Sequence, residues 1–269
     1  MTSDPEKKMQ SLLAILRGYA PLAVAFSGGV DSSFLVAAAR EALGDAVTAI
    51  TVHAPIHSRR EVAQAAETAA ALGVRHIVLP FAEIADPDFT ANPPDRCYIC
   101  KRIVFGEILR RAAAMGLPHL AHGVNLDDLG DYRPGLKAAE EMGVLSPLVE
   151  AALTKADIRE LSRTMGLNTW DRPSMACLAS RIPYGRAITP GVLAMIESAE
   201  EFLQDLGFMG CRVRHHGEIA RIEVPAPDVE RLVREREAIV ARLRTLGFTH
   251  VALDLEGYTQ GSLNRVLGK

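Results

Sequence analysis

Cysteine, aromatic residues and any imbalance of charge are scarce in this chain. Only four of its 269 residues are cysteine, one is tryptophan, and aromatic residues amount to 5%. Four cysteines in so long a chain argue against a disulfide framework and are expected as thiols, metal ligands or reactive groups. Lysine and arginine number 30 against 33 acidic residues, a net charge of −3. That balance gives no electrostatic case for a nucleic-acid partner, a local basic patch aside. No apolar run is long enough to span a bilayer. The start, Met1-Thr2-Ser3-Asp4-Pro5-Glu6-Lys7-Lys8, lacks the basic-then-apolar order of a signal peptide. A cytoplasmic protein without a membrane partner is expected. The 48% of hydrophobic residues supports a substantial core, in one large or two modest domains.

What the chain has is one sharp junction near its start. The apolar run Leu22-Ala23-Val24-Ala25-Phe26 reads as a buried strand and stops at Ser27-Gly28-Gly29. A helix-forming stretch begins at once, through Asp31, Ser32 and Ser33 to Arg40. Strand, glycine turn, helix is the geometry that sets backbone N–H groups and the positive helix end against a phosphate. Gly28 and Gly29 allow the close approach, Ser27 and Ser32 add hydroxyls, and Asp31 can cap the helix or help hold Mg²⁺. No Gly-Lys-Ser/Thr follows, so this is not a Walker loop, and the G-x-G-x-x-G spacing of a dinucleotide fold is missing. The bland alternative is a packing turn that needs glycine. The residues Ser27-Gly28-Gly29-Val30-Asp31-Ser32 resemble the SGGxDS loop of the PP-loop ATP pyrophosphatases, which cleave ATP between the α- and β-phosphates and pass AMP to a substrate.

The rest of the first two thirds alternates. Helices are expected at 9–18, 31–42, 58–72 and 97–115, and strands at 21–26, 47–52, 76–79 and 119–123. A proline-rich loop covers 86–95, and Thr154 with Asp157 forms a candidate capping box at the start of a further helix. This pattern implies an α/β fold with a mostly parallel sheet covered on both faces. After about residue 187 the pattern becomes helix 190–206, strands 211–215 and 220–224, helix 227–245 and a last strand 249–255. A smaller α+β domain is expected there, with domains at 1–186 and 187–269 joined through Ser174–Ala187.

Cys97 and Cys100 form a C-x-x-C just after the proline-rich loop, and a third cysteine is Cys177. C-x-x-C can chelate one metal centre. Three readings stay open on the residues alone: a structural zinc site lacking an evident fourth ligand, a redox dithiol, or a three-thiolate iron–sulfur site with one iron open. Unconnected buried cysteines are the bland alternative. Cys211 is assigned to packing, His53 and His57 to the walls of the crevice, and Trp170 to burial at the domain junction.

Three segments sharpen the assignment: Asn92-Pro93-Pro94-Asp95-Arg96-Cys97-Tyr98-Ile99-Cys100-Lys101, Asp127-Asp128-Leu129-Gly130-Asp131-Tyr132-Arg133-Pro134-Gly135, and Arg172-Pro173-Ser174-Met175-Ala176-Cys177-Leu178-Ala179-Ser180-Arg181. They resemble signatures of the LarE family, ATP-dependent sulfur transferases that make the nickel-pincer nucleotide cofactor. The likeness runs from the SGGVDS loop to Ala220-Arg221-Ile222-Glu223-Val224, nearly the whole chain. It implies adenylation of a pyridinium dicarboxylic acid mononucleotide, displacement of AMP by sulfur, and a second cycle on the other carboxylate. A carboxylate is a poor electrophile; adenylation supplies the leaving group and a sulfur nucleophile then attacks.

By the same resemblance, Ser27, Gly28, Gly29, Asp31, Ser32, Thr51, Val52, Gly123 and Asn125 bind ATP with Mg²⁺. Lys101, Asp128, Asp131, Arg133, Arg212 and Arg214 hold the nucleotide substrate, with Cys177, Asp31 and Arg181 catalytic. Some family members sacrifice the sulfur of the cysteine matching Cys177. Others carry three cysteines, as here, implying that Cys97, Cys100 and Cys177 hold a [4Fe-4S] cluster fed by a sulfide source. A homo-oligomer, in the family often a hexamer, is also implied. On the residues alone, Asp127, Asp128 and Asp131 could be a solvated acidic loop, Arg133 and Arg181 surface or ion-pair partners, and Arg212 and Arg214 an exposed basic strand face. Glu200 and Glu201 lie on a helix near that strand without an assigned role. A tRNA-thiolating PP-loop enzyme is the nearest rival, though it would need a basic surface. A non-catalytic nucleotide or iron–sulfur module is the other.

Overall fold

A computed structural model describes residues 4–81, 86–130, 134–173, 176–259 and 261–267. The expected sites Asp131 and Arg133 lie outside the described residues. In chain order the elements are α1 (Pro5–Arg17), β1 (Leu22–Ala25), α2 (Val30–Leu43), β2 (Val47–His53), α3 (Arg59–Ala71), β3 (Arg75–Pro80), α4 (Pro87–Thr90), α5 (Arg96–Ala114), β4 (His119–His122), α6 (Pro134–Glu141), α7 (Pro147–Glu150), α8 (Lys155–Thr164), α9 (Pro190–Asp205), β5 (Arg212–His216), β6 (Ile219–Glu223), α10 (Val229–Arg234), α11 (Arg236–Thr245) and β7 (His250–Leu253). Among the described residues no helix is long and apolar enough to cross a membrane.

Contacts divide the chain into two units. The first comprises Met1–Ala54, Arg59–Ala82 and Asp95–Met175; the second comprises Pro55–Ser58, Glu83–Pro94 and Ala176–Lys269. The division thus falls at 175/176, earlier than the expected 186/187, and two excursions from the first half join the second unit. The reason is visible in the backbone. Leu178 N donates to Ile56 O, and Ile188 N to Thr90 O. Asn92, fully buried in the left-handed region (φ 57°), donates through Nδ2 to the carbonyls of Ile182, Pro183 and Arg186. Asparagine tolerates that conformation and its side chain replaces missing backbone partners.

Unit 1 is the expected parallel α/β layer. Its four strands run β3-β2-β1-β4, every pair parallel and flanked by helices. β1 and β2 are central, so they read as continuous apolar runs rather than alternating ones: Leu22, Ala23, Val24, Ala49 and Ile50 are all fully buried. Leu12 and Leu16 of α1, Phe34 and Leu35 of α2 and Ile158 of α8 close one core against them. The chain moves outward from β1 through β2 to β3, then returns to place β4 on the other side of β1. Between the ends of β1 and β4 the direction of travel reverses, which is where open α/β sheets bind ligands.

In unit 2, β5-β6-β7 form a three-stranded sheet, antiparallel then parallel. It packs with Leu203, Phe208, Leu243 and Phe248 in one core. The single helix expected over 227–245 is two, α10 and α11, broken at Glu235, whose φ −85° and ψ 8° lie between helix and turn. No glycine or proline marks the break. It leaves Leu232 and Ile239 both buried. Cys211 packs in this core, as assigned from sequence. Trp170 does not bury as expected; it is 39% exposed.

Candidate active site

The turn after β1 is tied to itself. Ser27 Oγ and Ser32 Oγ stand 3.1 Å apart across it, Ser27 N donates to Ser32 Oγ at 3.3 Å, and Ser32 Oγ donates to Gly29 O at 3.2 Å. Gly29 caps α2 without a side-chain hydrogen bond, so the helix's first amides have no intrahelical acceptor and present the positive helix end. Gly28 has φ +75°, and a Cβ there would lie 2.9 Å from Ala65 Cα of α3. Both conformation and space require glycine. Gly123 follows β4, and a Cβ on it would meet Ser32 N at 2.8 Å. The end of β4 is therefore pressed against the start of α2.

Asp31 opens α2, half-buried. Its carboxylate accepts from Lys155 Nζ at 2.6 Å and from Asn125 Nδ2 at 3.4 Å. Asn125 N donates to Asp128 Oδ2 at 3.1 Å, Asp127 N donates to Asn125 Oδ1 at 3.0 Å, and Lys155 N donates to Asp127 Oδ2 at 2.8 Å. The expected ATP residues Gly123 and Asn125 thus come together with Asp31 and Ser32. The acidic loop is bound into the same network rather than simply solvated. Thr51 and Val52 are buried; Thr51 Oγ1 donates to Phe26 O at 2.7 Å and meets His76 Nε2 at 2.8 Å. Burial lowers the His76 pKa. The Thr51 hydroxyl thus secures the end of β1 instead of opening toward a ligand.

Lys101 is exposed on α5, its Nζ 4.8 Å from the centre of the Phe105 ring. Phe105 in turn stands edge-on to His122. Burial, and next the charge of Lys101, push the His122 pKa down to about 3, so its Nε2 pairs with Ser146 Oγ at 3.0 Å as a neutral ring.

Cys97 and Cys100 lie within the first five residues of α5, three residues apart, on adjacent positions of one helical face. Cys97 is exposed and Cys100 half-buried; among the described residues, which include all four cysteines, there is no disulfide. These two thiols fit one side of a metal centre at an electropositive helix start. Cys177, half-buried, precedes a 3₁₀ turn at Leu178–Arg181 and belongs to unit 2. Among the described residues no three His, Cys, Asp or Glu side chains already converge as metal ligands. Burial pushes the Cys211 thiol up to about 12, with Glu200 adding to the rise, which keeps that residue inert.

Unit 2 buries three arginines. Arg181 forks onto Glu200, Nε to Oε1 at 2.8 Å and Nη2 to Oε2 at 2.9 Å, while Nη1 donates to Cys177 O at 3.1 Å and Ser180 Oγ at 2.9 Å. Arg214 forks onto Glu223 at 2.9 and 2.7 Å and donates to Ser180 O at 2.8 Å. Arg212 donates to Cys211 O and lies 5.1 Å from the Tyr258 ring centre. Burial, then the charge of Arg181, lower its pKa. These residues are at most 6% exposed, so the alternative of an exposed basic strand face does not hold for Arg212 and Arg214, nor a surface position for Arg181. Arg181 instead fixes the backbone that carries Cys177.

Sequence reasoning missed Lys155, Arg159 and Arg172. Arg172 Nη1 donates to Gly28 O at 3.0 Å, and Arg159 donates to Trp170 O at 2.7 Å and Arg172 O at 3.0 Å. The usable signal was the i,i+4 spacing of Lys155 and Arg159 on α8.

A parallel sheet with a serine–glycine turn feeding an uncapped helix at its reversal point defines an ATP-using α/β enzyme of the PP-loop class. The model of the asparagine synthase family matches residues 10–109. The chain is 35% identical over 263 residues to pyridinium-3,5-bisthiocarboxylic acid mononucleotide synthase of Lactiplantibacillus plantarum, covering 97% of this chain and 95% of that one. It is 40% identical over 266 residues to the uncharacterized protein slr1717 of Synechocystis, covering 98% and 99%. It is 31% identical over 238 residues to the uncharacterized protein MJ0830 of Methanocaldococcus jannaschii, covering 87% and 89%. The chain belongs to the LarE family of ATP-dependent sulfur transferases.

Proposed function

We propose that this chain, in the cytoplasm, converts the two carboxylates of pyridinium-3,5-dicarboxylic acid mononucleotide to thiocarboxylates, with sulfide held on a [4Fe-4S] cluster as the sulfur source. The observation that carries this reading is the 35% identity across 97% of the chain to a bisthiocarboxylate synthase, together with the presence of Cys97, Cys100 and Cys177. In the first half-reaction a substrate carboxylate oxygen attacks the α-phosphorus of ATP and pyrophosphate leaves. The amides of the 27–32 turn hold the departing phosphates, and Asp31 is placed to meet the Mg²⁺ that accompanies them. Lys155, already on Asp31, stands ready to balance the phosphate charge. Arg212 and Arg214 then hold the substrate's own phosphate, and Asp128 and Lys101 its approach.

In the second half-reaction sulfur attacks the acyl carbon and AMP leaves. Cys97, Cys100 and Cys177 would hold the cluster, which supplies a nucleophilic sulfide when bound. Arg181, gripping the carbonyl of Cys177, holds the third thiol in position. A homo-oligomer belongs to the same reading, for which light scattering is the test.

Anaerobic purification followed by visible absorption and iron and sulfide analysis tests the cluster, comparing wild type with Cys100→Ala. Thiolate–iron absorption lost in the variant, and repeated turnover on inorganic sulfide, are expected. An iron-free protein that accumulates dehydroalanine at position 177 in step with product would replace the cluster by a sacrificial cysteine.

A further inference from the structure

Two adjacent glycines make the phosphate-binding turn possible and also leave it loose. The peptide plane between Gly28 and Gly29 has no Cβ on either side, so little steric resistance opposes its rotation. In a trans peptide the carbonyl and the N–H point in opposite directions. Whatever holds the Gly28 carbonyl therefore decides where the Gly29 N–H points. In this chain the carbonyl is held from outside the loop, by Arg172 Nη1 at 3.0 Å. The same nitrogen lies 3.5 Å from Thr68 Oγ1 of α3, whose own hydroxyl donates to Gln64 O at 2.8 Å. The Gly29 N–H accordingly points away from Arg172, and its contact to Ser27 Oγ is a long 3.4 Å.

Arg172 is itself anchored. Arg159 of α8 donates to the carbonyls of Trp170 and Arg172, and Arg172 N donates to Thr169 O at 3.1 Å. One turn before Arg159 on the same helix, Lys155 holds Asp31 at the other end of the loop. α8 thus braces the turn at both ends.

We propose that Arg172 is a positioning residue of the nucleotide site, which fixes the Gly28–Gly29 peptide so that the Gly29 amide donates to a phosphate oxygen of ATP or pyrophosphate. This rests on the 27–32 turn being the phosphate site. Arg172 touches neither substrate nor reacting atoms; it acts through the peptide it holds.

The test is calorimetric titration of wild type, Arg172→Gln, Arg172→Lys and Arg159→Gln with magnesium pyrophosphate and, separately, with AMP. Losing a hold on a peptide that donates to an anion should weaken pyrophosphate binding about tenfold in Arg172→Gln. AMP, which lacks the β- and γ-phosphates, should lose less than about threefold. Arg172→Lys should recover part of the affinity, because an ammonium also donates to a carbonyl. Unchanged pyrophosphate binding in a folded Arg172→Gln, or equal losses for pyrophosphate and AMP, would overturn the proposal. Should Arg172→Gln fail to fold, Arg159→Gln loosens the anchor with Arg172 still present. It should show a smaller loss of the same kind, and no loss would count against the brace. A wild type that binds neither ATP nor pyrophosphate would remove the phosphate-site reading itself, a result separate from any variant's behaviour.

Discussion

Gly123→Ala isolates the contact between the end of β4 and the start of α2. The added methyl would stand 2.8 Å from Ser32 N, 2.9 Å from Ser32 Cα and 3.0 Å from Asp31 C. All three are backbone atoms, so no side chain can swing aside. Relief to an ordinary contact requires the two segments to part by at least about 0.6 Å, an overpacking cost of about 1–3 kcal/mol. A shift of that size at the first turn of α2 stretches an amide–phosphate bond from ~2.9 to ~3.5 Å, beyond a good hydrogen bond. One such charge-assisted bond contributes about 1.5–3 kcal/mol, so ATP affinity should fall ~10- to 100-fold. Titration of ATP into wild type and variant measures this, with thermal unfolding alongside. Gly191→Ala is the control: a Cβ there meets nothing within 4 Å, so it should bind ATP normally and melt no lower. A Gly123→Ala protein with ATP affinity within twofold of wild type and an unchanged melting temperature would refute the reasoning.

Removing one partner of a buried ion pair strands the other, so Arg181→Met should cost unit 2 about 3–5 kcal/mol in denaturant unfolding. Arg181→Met with Glu200→Leu should regain much of that; a double variant no better than the single would deny the pairing. Iodoacetamide at pH 8 should modify exposed Cys97 in the native apoprotein and leave Cys211, buried with its pKa near 12, untouched until unfolding; peptide mass spectrometry reads the sites. His122 is neutral in the fold down to about pH 3, whereas an unfolded histidine takes up a proton near pH 6.5. The unfolded chain thus binds more protons below 6.5, and stability is lost as pH falls from there toward 3, by up to about 1.4 kcal/mol per pH unit from this one site. His122→Gln should flatten that part of the curve in denaturant titrations between pH 7 and 4, and an equally steep variant would exclude His122 as the source.

The sequence made the β1–turn–α2 junction readable because an apolar run, two glycines and an immediate helix leave few alternatives. The Thr154–Asp157 capping box was readable for the same local reason, and the structure forms both of its bonds. Features set by distant partners were not. Arg181 and Arg214 gave no sign of burial, because the carboxylates they fork onto, Glu200 and Glu223, come from other positions in the fold. Arg172 stood inside a recognisable segment, yet its target is a carbonyl 144 residues away. The break at Glu235 had no local cause, since nothing in Val-Arg-Glu-Arg-Glu opposes a continuous helix. Two domains were legible, but the excursions 55–58 and 83–94 into the second unit escaped because they look like ordinary connections.

α8 can also be viewed as a ruler. Lys155 and Arg159 are one helical turn apart, and each grips a different part of the surroundings of the 27–32 turn. A residue added or removed between them would turn one grip by about 100° and move it by ~1.5 Å relative to the other. The loop's shape is therefore measured off against the pitch of a neighbouring helix, and natural variation in length should avoid the three residues between them while remaining free in the turns at either end of α8.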